Sequence, residues 1–263
     1  MTNRADRFRA LHEGPAPLLL PNPWDAGTAR ILAGLGFDAL ATTSLGVANV
    51  VGRARASRAE ILANVREIAE ATPLPVNADL ENGFADDPVE AAKMIEEAAE
   101  AGAAGVSIED HTGDLGKPIY EFGLAVDRVR AAVEVARARS VVLTARCENL
   151  WLGIDDLDDT IKRLQAFEEA GADVLYAPGL RTLDQMRAVV SSVGKPVNVV
   201  MGFADPSITL EQLAGIGVRR VSIGAALSRL ALKSFVDGAR EMKAGRFGFV
   251  GDLPPISEVQ QYF

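Results

Sequence analysis

Three carboxylates draw attention by where they fall. Asp79 and Glu81 stand two apart in "PVNADLENGF" (75–84), and Glu109 closes "GVSIED" (105–110). The first stretch opens like a buried strand at Pro75-Val76, yet it ends in two acids and an Asn82-Gly83 break. Because Leu80 separates Asp79 from Glu81, an extended chain aims both carboxylates to one side. With Glu109 ending the neighbouring strand at the same height, the three repel unless positive charge lies between them. A hard divalent cation held by oxygen ligands meets that need. Mg2+ keeping several of its waters suits so loose a set, with Mn2+ as the alternative. Arg146, in "TARCEN" (144–149), is expected to neutralise one of the three. Taken singly, each acid reads more readily as a helix cap or a surface ion pair. Three at adjacent strand ends weigh against that plainer account.

Other chemistry-bearing residues are fewer. His111 follows Glu109-Asp110 and could serve as an acid or base, or simply be a solvated loop residue. His12 falls in an N-terminal helix and reads as structural. Cys147 projects opposite to Arg146 on a strand and reads as a small core residue, not a nucleophile. No phosphate-binding loop is present, since "LGVANVVGR" is not a Walker sequence and no GxGxxG follows a strand. The turn "TSLG" (43–46) could offer backbone N–H groups to a small carboxylate.

These residues sit on a repeated unit. In "LAGLGFDALATTS", "AEAGAAGVSIED", "EEAGADVLYAPG" and "LAGIGVRRVSIGA", a helical run reaches Gly36, Gly102, Gly171 or Gly217 and passes into a short apolar strand. Glycine there takes the left-handed conformation that ends a helix and turns the chain into the next strand. Gly36 to Gly102 and Gly102 to Gly171 each span close to two units of about 33 residues, the repeat of a (β/α)8 barrel. Eight strands are expected near 17–21, 38–44, 75–80, 104–109, 141–147, 173–177, 197–201 and 220–225. Amphipathic helices lie between them, clearest in "DPVEAAKMIEEAAEAG" and "DLDDTIKRLQAFEEAG". The reading is an α/β TIM barrel forming one domain over 1–263. A C-terminal extension at 246–263 packs on a partner or across the barrel. Active sites of such barrels form at the C-terminal strand ends, where the carboxylates of strands 3, 4 and 5 collect.

Composition narrows the partners. A net charge of −9 argues against a general nucleic-acid or anionic-membrane surface. One cysteine excludes an internal disulfide framework and a Cys-rich zinc site. No run has the length of a signal peptide or of a membrane span, so a cytoplasmic protein is expected.

The motifs together resemble the isocitrate lyase/phosphoenolpyruvate mutase superfamily, in its phosphoenolpyruvate mutase-like branch, from about residue 17 to 245. "DLENGF" is similar to that family's metal motif, with Asp79 and Glu81 on its two acidic positions. "GVSIED" matches the segment whose Glu, here Glu109, completes the metal shell. "TARCE" places Arg146 at the substrate-arginine position, and Thr43, Ser44 and Leu45 occupy the family's carboxylate-binding turn. The resemblance implies a barrel whose last helix is exchanged between subunits, usually in a tetramer, although a dimer also fits a homo-oligomer. It implies Mg2+-assisted chemistry on small 2-oxo acids or their enolates.

Three departures stand beside it. The Lys-Lys/Arg-Cys-Gly-His loop of isocitrate and methylisocitrate lyases is replaced by "HTGDLGKPIYEF". Residues 45–59 contain no acid, where phosphonopyruvate-type enzymes place an Asp, and the strand 4 loop offers only Lys117. Glu81 replaces the usual Asp. The expected function is a Mg2+-dependent carbon–carbon lyase on a 2-oxo or 2-hydroxy di- or tricarboxylic acid, as in oxaloacetate-type decarboxylation. Arg146 and the Thr43–Leu45 turn would hold the carboxylate, Glu148 would orient Arg146, and His111 would supply a proton. The alternatives are a phosphoenolpyruvate mutase or phosphonopyruvate hydrolase, and a barrel that binds a 2-oxo acid without turnover.

Overall fold

The computed structural model describes residues 3–263. Eight strands follow in order: β1 (Leu18–Leu20), β2 (Leu40–Ala41), β3 (Val76–Asp79), β4 (Gly105–Glu109), β5 (Val142–Arg146), β6 (Val174–Tyr176), β7 (Val197–Val200) and β8 (Arg220–Ser222). Every neighbouring pair is parallel, in the order β1-β8-β7-β6-β5-β4-β3-β2. Between β1 and β2 the seam is joined by the Ala41 N–H donating to the Pro21 carbonyl at 3.0 Å. Asn22 reinforces it: its Nδ2 donates to the Thr42 carbonyl, and its Oδ1 accepts from the Ile223 and Gly224 N–H groups. The sheet is therefore a nearly closed parallel barrel.

The helices are α1 (Arg4–Leu11), α2 (Ala26–Gly34), α3 (Ser44–Val50), α4 (Arg58–Ala71), α5 (Pro88–Glu100) and α6 (Phe122–Ala138). They continue with α7 (Leu157–Ala170), α8 (Leu183–Ser192), α9 (Leu210–Gly215), α10 (Ala226–Lys243) and α11 (Ile256–Gln260). Helix α5 shows how sequence produces them. Asp87 accepts from the Val89 and Glu90 N–H groups, Pro88 occupies the first turn, and Ala91, Ala92, Met94, Ile95 and Ala98 form one buried stripe. Full burial of Ile95 alone contributes about 2–3 kcal/mol. Gly36, Gly102, Gly171 and Gly217 all have positive φ, as their place after a helix requires. The bottom of the barrel is closed by α1, whose Phe8 is fully buried against Leu18, Ala104, Val142 and Val174.

Most strands stop within one residue of the expected ends, but β2 and β8 stop three residues short. β2 stops at Ala41 because Thr43 caps α3, its Oγ1 accepting the Gly46 N–H at 3.4 Å. The expected compact turn at 43–46 is thus the first turn of a helix. β8 ends at Ser222, before the left-handed Gly224. Beyond the barrel, only Ser228 of the 18 residues of α10 is buried. Among the described residues no helix is long and apolar enough to cross a membrane.

Candidate active site

The C-terminal ends of the strands surround a cavity of about 370 Å³. Asp79, Glu81, Glu109, Arg146, Glu148 and His111 all line it, with Ser44 and Leu45 from the start of α3. Arg146 is its centre. Nη1 donates to Asp79 Oδ1 at 2.8 Å, Nη2 lies 3.0 Å from Glu109 Oε2, and Nε donates to Glu148 Oε1 at 2.9 Å. The single positive charge of Arg146 still offsets one negative charge, as expected, but its contacts reach two of the three expected acids, Asp79 and Glu109, and Glu148 besides. A guanidinium has five N–H groups in a rigid fork and can meet three acids converging from β3, β4 and the end of β5. Burial alone would lower its pKa, but Glu148, Glu109 and Asp79 hold it well above the ordinary value. The Tyr176 ring lies beneath it, 5.0 Å from the guanidinium carbon.

Asp79 is fixed from its other side as well. Its Oδ2 accepts the Ser44 N–H at 3.0 Å, and its own N–H donates to Thr42 Oγ1 at 2.9 Å. The Ser44 N–H thus serves Asp79, and Thr43 is a buried helix cap.

Glu81 reaches the cavity by a route the sequence reading did not foresee. β3 ends at Asp79, and Glu81 is left-handed with φ 50°, so the two acids do not share a face by strand alternation. A tight turn re-aims Glu81. Gly83 (φ 74°) makes that turn possible, since a side chain there would run into Ala91. Buried Arg128 of α6 braces the turn by donating to the carbonyls of Asn82, Ala85 and Asp86.

The partner of Glu81 is Arg55, from the segment between α3 and α4. Its Nε donates to Glu81 Oε2 at 2.5 Å, its Nη2 to Asn82 Oδ1 at 3.3 Å, and its guanidinium lies over the Phe84 ring. The stretch 45–59 holds no acid, and no pattern in it singles out this arginine. Burial, with Asp79 adding, still pushes the Glu81 carboxyl up to about 7.

Glu148 is buried, and its N–H donates to Asp110 Oδ1 at 2.8 Å. Burial pushes its carboxyl up against the pull of Arg146. His111 Nδ1 lies 3.7 Å from Glu109 Oε1, while its buried Nε2 has no partner. The strand 4 loop folds back on itself, with the Thr112 N–H donating to Pro118 and the Tyr120 N–H to Asp110. Cys147 is fully buried and burial pushes its thiol well up, as a core residue's would be. At the rim, Trp151 and Phe203 meet with centroids 4.5 Å apart and their rings tilted by 49°.

A family model described as phosphoenolpyruvate phosphomutase matches residues 8–243. The chain belongs to the isocitrate lyase/phosphoenolpyruvate mutase superfamily. A structure from Burkholderia cenocepacia J2315, provisionally described as a lyase/mutase, is 50% identical with a TM-score of 0.95, covering 99% of this chain and 95% of that one. The 2,3-dimethylmalate lyase structure is 27% identical with a TM-score of 0.87, covering 100% and 95%. The oxaloacetate decarboxylase of Bradyrhizobium diazoefficiens is 26% identical over 92% of this chain and 86% of its own. Named superfamily members are thus lyases, decarboxylases and hydrolases acting on small acids. One member of the same fold, phosphonopyruvate hydrolase, holds oxalate and Mg2+ in its structure.

Within the superfamily frame, the residues here fit a hard cation in kind. Asp79, Glu81 and Glu109 are all oxygen donors facing one cavity, the donor type a hard cation takes. Among the described residues no three such side chains are drawn together as a ligand cluster. Arg146 and Arg55 stand where the positive charge is needed.

Proposed function

We propose that this chain is a Mg2+-dependent carbon–carbon lyase for a small 2-oxo or 2-hydroxy di- or tricarboxylic acid, with decarboxylation of an oxaloacetate-like acid the simplest case. The observation that carries this reading is the convergence of Asp79, Glu109 and Glu148 on the Arg146 guanidinium within the cavity. The similarity to an oxaloacetate decarboxylase and to a dimethylmalate lyase supports it.

Asp79, Glu81 and Glu109 would hold the metal, directly or through water. Mg2+ bound there would draw electron density from the carbonyl of a 2-oxo acid and ease cleavage of the bond beta to it. Arg146 binds the substrate carboxylate with the donors left over from its three acids, and Glu148 fixes the plane of its fork. His111, whose Nε2 is otherwise unpartnered, returns a proton to the carbon that loses CO2. CO2 itself departs without a proton, so the cysteine loop of the methylisocitrate lyases is not required for that step.

The reading extends to assembly. Helix α10 leaves Leu230 61% and Phe235 73% exposed, which supports a homo-oligomer in which this helix packs on a neighbouring barrel. The mass in solution, and its fall to that of a monomer in Phe235→Asp, tests it.

Turnover of a panel of 2-oxo acids, with Mg2+ and with EDTA, tests the activity. Unchanged rates in EDTA and in Asp79→Ala would sink the metal assignment. Phosphonopyruvate turnover seen by ³¹P NMR would favour a mutase or hydrolase, and binding without turnover across the panel a non-catalytic barrel.

A further inference from the structure

A second cation lies deeper in the same cavity. Arg220 of β8 is 2% exposed and lines the cavity floor, in register with Asn198 of β7. Its Nε donates to Asn198 Oδ1 at 2.9 Å and its Nη2 to Thr144 Oγ1 at 2.9 Å, while Nη1 lies 3.5 Å from His12 Nε2. The His12 contact has a definite sense. Nδ1 lies 2.8 Å from the Phe8 carbonyl and so carries the hydrogen, which leaves Nε2 a neutral acceptor.

All three partners are therefore uncharged, and among the described residues no carboxylate pairs with Arg220. Asp173, the acid that acts on His12, is already engaged by Arg9 at 2.6 Å and by the Leu143 N–H at 2.9 Å. Burial, with Arg146 adding to it, lowers the Arg220 guanidinium to about 9, so it is charged at neutral pH. A buried charge without a counter-ion costs several kcal/mol, which neutral hydrogen bonds offset only in part. An arginine needed only to tie strands together would be better paired with an acid. An anion arriving from the cavity supplies what is missing. Two of the five N–H groups of Arg220 remain without a partner. Ser222, one step nearer the mouth, accepts from Asn198 Nδ2 at 3.0 Å, which frees its hydroxyl hydrogen to donate into the cavity.

We propose that Arg220, with Asn198 holding it and Ser222 above it, is a second anion subsite that takes the distal carboxylate of a dicarboxylic acid. The subsite rests on the reading of this cavity as a small-acid site, whose upper carboxylate position is at Arg146. It commits the substrate to two carboxylates set along the barrel axis, one under the rim and one on the floor.

The test compares lactate and malate, which share a 2-hydroxycarboxylate head and differ by one carboxylate, by calorimetry in Mg2+. Wild-type protein binds malate about tenfold or more tightly than lactate, the worth of one charge-assisted contact. Asn198→Asp places an isosteric counter-charge beside Arg220. It removes the malate advantage, leaves lactate within about threefold, and does not lower the thermal midpoint. Arg220→Met loses the same advantage if it folds. A malate preference retained in Asn198→Asp, or equal losses for both acids, overturns the subsite. Equal binding of the two acids by the wild type overturns it as well, while leaving the small-acid reading intact. Binding of neither acid by the wild type sinks that reading itself.

Discussion

Arg55 and Glu81 meet at 2.5 Å, so the segment that carries no acid of its own closes on the site through a cation. The Arg55 side chain is half exposed, so the pair contributes under about 1 kcal/mol to stability. Its weight falls on the site instead. In Arg55→Ala the Glu81 carboxylate is released, and the Mg2+ concentration for half-maximal turnover falls about three- to tenfold as one competing charge leaves. A Mg2+ titration of activity, beside a melting curve that barely moves, checks both halves.

Arg146→Lys separates charge from geometry. Lysine keeps the positive charge but cannot hold Asp79, Glu109 and Glu148 at once, so kcat/KM falls by about 100-fold or more. Arg146→Ala leaves buried Glu148 and half-buried Asp79 and Glu109 without this cation and costs about 3 kcal/mol of stability at pH 7.5. Urea melts of the two variants distinguish the effects, since Lys is expected to melt much closer to the wild type.

For His111→Gln the expected loss is in kcat, by about 100-fold, with KM for the acid within about threefold. A loss confined to KM would instead make His111 a binding group. Solvent-exchange of the product methyl or methylene protons, followed by NMR, reports the proton return directly.

His12 gives the fold a dependence on pH. Burial lowers it from 6.5 to about 4, with Arg220 adding to the fall. Between those values the unfolded chain takes up a proton that the folded chain refuses, so stability rises with pH across this window and is level above it. The full effect is about 3 kcal/mol. Asp173 opposes it and Arg220 reinforces it, so both neighbours are kept in the test. Urea unfolding of His12→Gln at pH 5 and pH 7.5 should lack most of the difference the wild type shows.

Much of the scaffold was legible because it is local. Gly36, Gly102, Gly171 and Gly217 announce helix ends by a backbone need that no other residue meets as cheaply, and all four are left-handed. Asp87 and Asp156 announce helix starts for the same kind of reason. The site was legible in part. Asp79, Glu109, Arg146 and Glu148 lie at the ends of strands, and parallel registry brings strand ends together: Glu109 stands beside Arg146 in the β4–β5 ladder. The alternation that placed Glu81 failed, because the strand stops two residues before it.

Three arginines were missed, each for a reason that can be stated. Arg55 lies in an irregular stretch, where no period tells which way a side chain reaches. Arg128 falls on the buried stripe of α6, between Ala125 and Ala132, and such a charged residue on an apolar face was the available signal. Arg220 was signalled in the same way by "VRRVSIG", since alternation along β8 must send one of the paired arginines inward.

What the sequence determined by itself, then, was the order of turns and caps, the parallel strands they impose, and the gathering of acids at one rim. These follow from torsional preference and burial, which act within a few residues. Which cation answers which acid was decided only by the tertiary structure. Arg146 serves three carboxylates, Arg55 serves Glu81, and Arg220 serves none, because charge acts through space and the distances that set it arise only when the barrel is nearly closed.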